Sequence, residues 1–339
     1  MKPLVIYHAN CMDGAGAALA AWLKFGEQAE YRPANYGDLP PSADQLCGGR
    51  EVYVLDFSYK RADMIRVAEN VLDAPRAEWL QIPKSLSVSE RYEILKGPYS
   101  GKLVVLDHHA TAQKELVGLP FCEFDMNRSG AAMAWEHFHG RELPQLIRYI
   151  QDRDLWKWEL PHSREVSAAL ALCGGLSDFR NLIGLHDYWN RQLEKDGILI
   201  PEYLVQDGST VLRVEKAMVE RIAASAEEVE IPFRYALGEF RVRALAASSP
   251  VLQSEVGEAL AFESAKAGRD AVGAVYYRDG KAEIWRVSLR SRDAFGGSDG
   301  HSVLAAPDVS EIARSHGGGG HRQAAGFECR ELPWKKKTP

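Results

Sequence analysis

The chain has 339 residues, is 46% apolar and 26% charged, and carries 41 basic against 47 acidic side chains. This is ordinary globular usage at two-domain length, which excludes long disorder, collagen and coiled coil. A net charge of −6 disfavours coating long nucleic acid by charge alone, so any phosphate-bearing ligand needs a local site.

The apolar runs are far shorter than the roughly 18–20 residues that span a bilayer, so no membrane association is expected. Residues 4–7 form a short apolar run that turns polar at His8. They read as a buried strand and not as a signal peptide. A helix follows over 15–25, with Leu19, Trp22 and Leu23 on one stripe. Residues 52–57 read as a second strand, 62–72 as a second helix and 103–106 as a third strand. Strands this short and continuously apolar suit a parallel sheet covered on both faces. Residues 73–100, with Pro75, Pro83 and Pro98, read as an insertion containing one helical piece.

Ser129 precedes Gly130-Ala131-Ala132 as a helix cap. Further helices run to about 186. Residues 187–234, with Gly197, Pro201 and Gly208, read as a helical connector. A second α/β unit spans 235–332, with strands at 240–246, 271–277 and 282–290 and helices at 251–266 and 308–315. A frayed basic tail closes the chain at 333–339. Five scattered cysteines (Cys11, Cys47, Cys122, Cys173, Cys329) lack a C-x-x-C pair. They fit a reducing cytoplasm and argue against a disulfide framework or structural zinc.

Polar residues gather at the predicted strand ends: His8 with Asp13, then Asp56, then Asp107-His108-His109. The C-terminal ends of parallel strands meet at the crevice where ligands bind. Carboxylates and imidazoles converging there suit a divalent ion such as Mn²⁺. One of the two aspartates in Gln151-Asp152-Arg153-Asp154 would close that site. Near the C-terminus stands Gly317-Gly318-Gly319-Gly320-His321-Arg322. Such a run can turn its N–H groups inward as an anion nest. Just upstream, Arg290 and Ser291 sit at a strand end.

Asp107-His108-His109 after an apolar strand, followed near the C-terminus by Gly317 to His321, resembles the DHH/DHHA1 phosphoesterase family. The resemblance covers roughly 1–185 and 235–330. It implies an α/β fold: an N-terminal DHH domain with a mainly parallel sheet flanked by helices, and a smaller C-terminal α/β DHHA1 domain. It further implies two Mn²⁺ ions, with Mg²⁺ or Co²⁺ as alternatives, held by His8, Asp13, Asp56, Asp107, His108 and Asp152. Asp56 would bridge them. His109 would lie near the phosphate, with Asp56 and Asp107 as further catalytic residues. Arg290, Ser291, Gly317, Gly318, Gly319, Gly320 and His321 would bind substrate.

One departure stands out. The family's first motif, H-x-x-x-D-x-D, carries two carboxylates, whereas this chain reads His8-Ala9-Asn10-Cys11-Met12-Asp13. Either Cys11 occupies the place of the first carboxylate or Asp13 is the first and the second is missing. Cys11 is then a soft ligand or a plain buried thiol.

The activity implied is hydrolysis of short single-stranded oligonucleotides or dinucleotides to mononucleotides by metal-activated water. Alternatives are a phosphatase or phosphodiesterase on a small nucleotide, cyclic dinucleotide or polyphosphate, and a non-catalytic nucleotide-binding protein. The sequence leaves oligomeric state open, a homodimer included.

Overall fold

The computed structural model divides into two compact units, Met1–Leu212 and Arg213–Pro339. It describes the chain apart from residues 84, 87, 97–100, 141, 175–177, 236–237, 296–302 and 335–339. The lysines of the expected basic tail lie outside the described residues.

The first unit is built on a parallel sheet of five strands. These are β1 (Leu4–His8), β2 (Glu30–Ala34), β3 (Glu51–Leu55), β4 (Lys102–Asp107) and β5 (Cys122–Phe124), in the order β2-β1-β3-β4-β5. All four neighbour pairs run parallel. The three central strands are the ones the apolar runs predicted. Val5, Ile6, Val52, Val54, Leu55 and Leu103 to Leu106 are fully buried, as a sheet covered on both faces requires. The two edge strands escaped the sequence reading. Glu30-Tyr31-Arg32-Pro33-Ala34 is mostly polar and half exposed, and its proline is tolerated only on an edge. β5 has only three residues.

The chain leaves β1 for β2 on one side and returns to β3 on the other. The sheet therefore has its topological switch point beside β1, where open α/β sheets bind ligands. Helix Met12–Phe25 starts at that point and packs its alanine-rich face inward. Gly16 makes the close approach to the next helix possible. A Cβ there would stand 2.8 Å from Ala131 Cβ and 3.0 Å from Ile150 Cδ1. That next helix, Gly130–His139, is capped as expected by Ser129, whose hydroxyl accepts from Ala132 N. Among its described residues the insertion at 73–100 has the helices Arg76–Trp79 and Val88–Lys96, and it buries Trp79 completely.

The division between units falls inside the helix Glu202–Ala223. The second unit has a mixed six-stranded sheet. Its strands are β6 (Glu227–Tyr235), β7 (Gly238–Ser248), β8 (Val272–Asp279), β9 (Ile284–Ser291), β12 (Gly319–His321) and β13 (Ala324–Cys329). The order is β12-β13-β9-β8-β7-β6. A separate two-stranded ladder joins β10 (Ala294–Phe295) to β11 (Val303–Leu304). β6 corrects the connector reading. Val229 and Ile231 are buried between acidic residues that face out, a period of two that a helical charge pattern does not have.

Candidate metal centre

Three strand ends deliver the site. His8 is the last residue of β1, Asp56 follows β3, and Asp107 ends β4 with His108 directly after it. Asp56 adopts a left-handed backbone, φ +55°, which an aspartate tolerates better than most residues. Its N–H is tied to Leu106 O at 2.8 Å. Gly130 must be a glycine here, because a Cβ would stand 2.4 Å from Asp56 Cβ. The N-terminus of its helix can thus reach the cluster. There Gly130 N and Ala131 N donate to the two oxygens of Asp13 at 2.6 and 3.0 Å, a favourable place for a carboxylate.

Within the first unit, two triads of described residues bring metal-ligating atoms within 4.8 Å of one another: His8, Cys11 and Asp56, then Asp13, His108 and Asp154. Asp56 touches both. One oxygen is 3.4 Å from His8 Nδ1 and the other 3.2 Å from His108 Nε2. Neither contact is directed well enough to be a hydrogen bond, and both buried oxygens of Asp56 and Nδ1 of His8 are left without a hydrogen-bond partner. His108 Nε2 also lies 3.5 Å from Asp13 and 3.4 Å from Asp154.

The electrostatics show what the cluster lacks. Burial, then the charges of Asp56 and Asp154, push Asp13 well above the ordinary carboxylate range. Burial likewise raises Asp154, against the pull of His108. Burial opposes ionisation of Asp56 too, but His108 and His8 outweigh it and hold its carboxyl low. Burial disfavours the charged form of His108, yet Asp56, Asp13 and Asp154 push it up to about 10. Burial and the same three carboxylates raise the Cys11 thiol. The buried Asp13 and Asp56 and the half-buried Asp154 share too little positive charge, and buried polar groups without partners are costly. A divalent cation would supply both needs, and the carboxylate and imidazole donors of the cluster suit Mn²⁺.

Two expected ligands sit elsewhere. Asp107 belongs to neither triad. Its carboxylate accepts from Ser58 Oγ at 2.7 Å and from His109 N at 3.1 Å, and lies 2.7 Å from His109 Nδ1. It orients His109. Asp152 is buried beneath the chain that follows its helix, where Glu159 N, Leu160 N and Ser163 Oγ donate to it. Asp154, two residues on and at the end of helix Gln145–Asp154, reaches His108 instead. Sequence reading also passed over Tyr36, whose ring lies 5.3 Å from that of His8 and 5.8 Å from that of His109. Ser58 was missed as well. Its only signal was its place two residues beyond Asp56.

The candidate substrate residues of the second unit are framed by their own unit. Arg290 donates to Ser254 Oγ at 2.7 Å and to Ser288 Oγ at 3.1 Å. Ser291 Oγ donates to Pro307 O at 2.7 Å. The glycine run is no open anion nest along its length. Gly317 N and Gly318 N cap the preceding helix through Arg314 O and Ala313 O. Gly319, Gly320 and His321 form β12, the outermost strand of the sheet among the described residues.

No family model matches the chain. It is 25% identical over 331 residues to the uncharacterized protein R106 of Acanthamoeba polyphaga mimivirus, covering 96% of this chain and 66% of that one. It is 24% identical over 337 residues to the oligoribonuclease NrnB of Bacillus subtilis, covering 95% and 71%. The chain thus spans about two thirds of the length of these curated relatives. Among solved structures it resembles RecJ of Thermus thermophilus in complex with Mn²⁺, with TM-score 0.40 and 14% identity over 97% of this chain and 49% of that one.

Proposed function

We propose that this chain, related to the DHH/DHHA1 phosphoesterases, is a metal-dependent phosphodiesterase that hydrolyses short oligonucleotides or dinucleotides to mononucleotides. The observation that carries this reading is Asp56. It is a buried carboxylate without hydrogen-bond partners, with one oxygen toward each of two ligand triads.

His8, Asp13, Asp56, His108 and Asp154 would hold two divalent ions, Mn²⁺ first among them. Such ions supply an activated water near neutral pH and polarise phosphoryl oxygens. The remaining work belongs to the chain. Asp107 fixes the ring of His109 through Nδ1, and Ser58 fixes Asp107, so His109 is a rigid neighbour for a phosphate oxygen. Arg290, pre-oriented by Ser254 and Ser288, is a charge-assisted donor for substrate phosphate. His321 and the β12 backbone are the further contacts proposed for substrate. The name of the relative NrnB supports the oligonucleotide class. The net acidic charge favours a short substrate, since long polyanions are bound through many cationic contacts.

A labelled dinucleotide and a five-residue oligonucleotide, each incubated with Mn²⁺ and purified protein, test the reading. Mononucleotide release that a chelator stops is the expected result. Loaded protein that releases none from either substrate overturns it.

A further inference from the structure

We propose that Cys11 is itself a metal ligand, so that the two ion positions differ in kind. One is a soft position made by His8, Cys11 and Asp56, and the other a hard position made by Asp13, Asp56, His108 and Asp154. This rests on the two-ion reading of the cluster but not on any substrate.

The surroundings of the sulfur carry the inference. A structural cysteine packs among apolar atoms as a small hydrophobe. The Cys11 sulfur instead lies within 4.8 Å of a ligating nitrogen of His8 and a carboxylate oxygen of Asp56. Both neighbours are waiting for something. Asp56 is 1% exposed, and its oxygens, like Nδ1 of His8, have no hydrogen-bond partner. Cys11 stands at the N-cap of helix Met12–Phe25, a place where serine, threonine or aspartate is preferred. The geometry also resolves the motif. Asp13 sits with His108 and Asp154, so Cys11 takes the place beside His8 where a carboxylate was expected.

The chemical consequence is selectivity. Thiolate ligands favour Zn²⁺ and the later transition ions, whereas carboxylate and imidazole sets accept Mn²⁺ and Mg²⁺. A thiol must lose its proton to bind, so loading the soft position releases one proton to solvent from Cys11. The chain is thus suited to a mixed centre, with a thiophilic ion beside Cys11 and a harder ion beside Asp154.

Titration of the metal-free protein with Co²⁺, followed by absorption spectroscopy, tests this without substrate. The expected result is a thiolate-to-cobalt charge-transfer band that saturates with one equivalent. It should vanish in Cys11→Ser and persist in Cys47→Ser, which removes the exposed cysteine. Cys11→Asp should bind two ions without the band and prefer Mn²⁺ over Zn²⁺ more than the parent does. Bound cobalt with no such band, or a band that survives in Cys11→Ser, overturns the proposal. A protein that binds no cobalt overturns it together with the two-ion reading. A protein that shows the band but cleaves no oligonucleotide overturns only the proposed activity.

Discussion

The two units treat the polar residues of their candidate sites in opposite ways. In the first, both oxygens of the buried Asp56 and the buried Nδ1 of the half-buried His8 have no hydrogen-bond partner. In the second, Arg290 and Ser291 bond to neighbouring hydroxyls and carbonyls, and Gly317 and Gly318 cap a helix. Unsatisfied buried groups are tolerated where a ligand completes them, while satisfied ones already form a rigid frame. The cluster of the first unit therefore offers a place that a cation would complete, whereas Arg290 of the second unit is already held by its neighbours.

The sharpest way to break this contrast is Asp56→Ala. It should abolish hydrolysis and lower the bound metal below two ions per chain, as measured by activity and elemental analysis. Full activity after rigorous chelation would sink the bridging role. The paired carboxylates come next. Asp154→Asn should cost metal affinity with little loss of stability. Asp152→Ala should do the reverse, costing about 2–3 kcal/mol in urea unfolding because it strips partners from buried donors. If Asp152→Ala lost metal and kept its stability, the assignment would be inverted.

In the second unit, Gly318→Ala should destabilise by about 3 kcal/mol through overpacking, because the new Cβ would lie 2.1 Å from Gly326 O. Arg290→Ala should raise KM for a dinucleotide roughly ten- to a hundredfold by removing charge-assisted bonds. Its metal content, and its rate on a small diester such as bis-p-nitrophenyl phosphate, should not change. An equal loss on both substrates would end the division of labour between the units.

The smallest effect is expected away from both sites, at Arg128, which bonds Glu123, Asp125 and Glu136 together. Arg128→Ala should cost about 1 kcal/mol. Asp125 is held below the ordinary carboxylate range. Burial opposes this, but the N–H of Asn127 and then Arg128 outweigh it. A depressed carboxylate contributes stability above its unfolded value near about 4, and that stability is lost as pH falls through the folded value. The variant should therefore lose less on acidification than the parent. An identical acid limb in both would remove Arg128 from the cause.

The sequence made the central strands and their polar ends legible because both depend on local pattern: continuous apolar runs, then charge. His8, Asp56 and His108 could be placed together from topology alone. The Asp152 and Asp154 pair could not be sorted, because residues two apart on a helix point to different faces and either face can be polar. The path after the helix, which folds Glu159, Leu160 and Ser163 over Asp152, separates the surroundings of the two. Asp107, placed among the ligands by its motif, lies beside His109 and Ser58. A carboxylate that ligates and one that orients a ligand's neighbour look identical in a motif. The edge strands β2 and β6 were hidden by their acidic and polar residues, which a half-exposed strand accommodates.

The seam at Gly16 has a consequence for anyone altering this protein. Helix Met12–Phe25 carries Asp13, and helix Gly130–His139 supplies the N–H groups that clasp it. The spacing between the two is set by the absence of a single methyl group at Gly16. That residue touches no ligand and bears no chemistry, yet a wedge there would part the clasp. A screen that ranked positions by distance from the reaction would overlook it. Gly16 works as a shim whose thickness sets the tolerance of the centre.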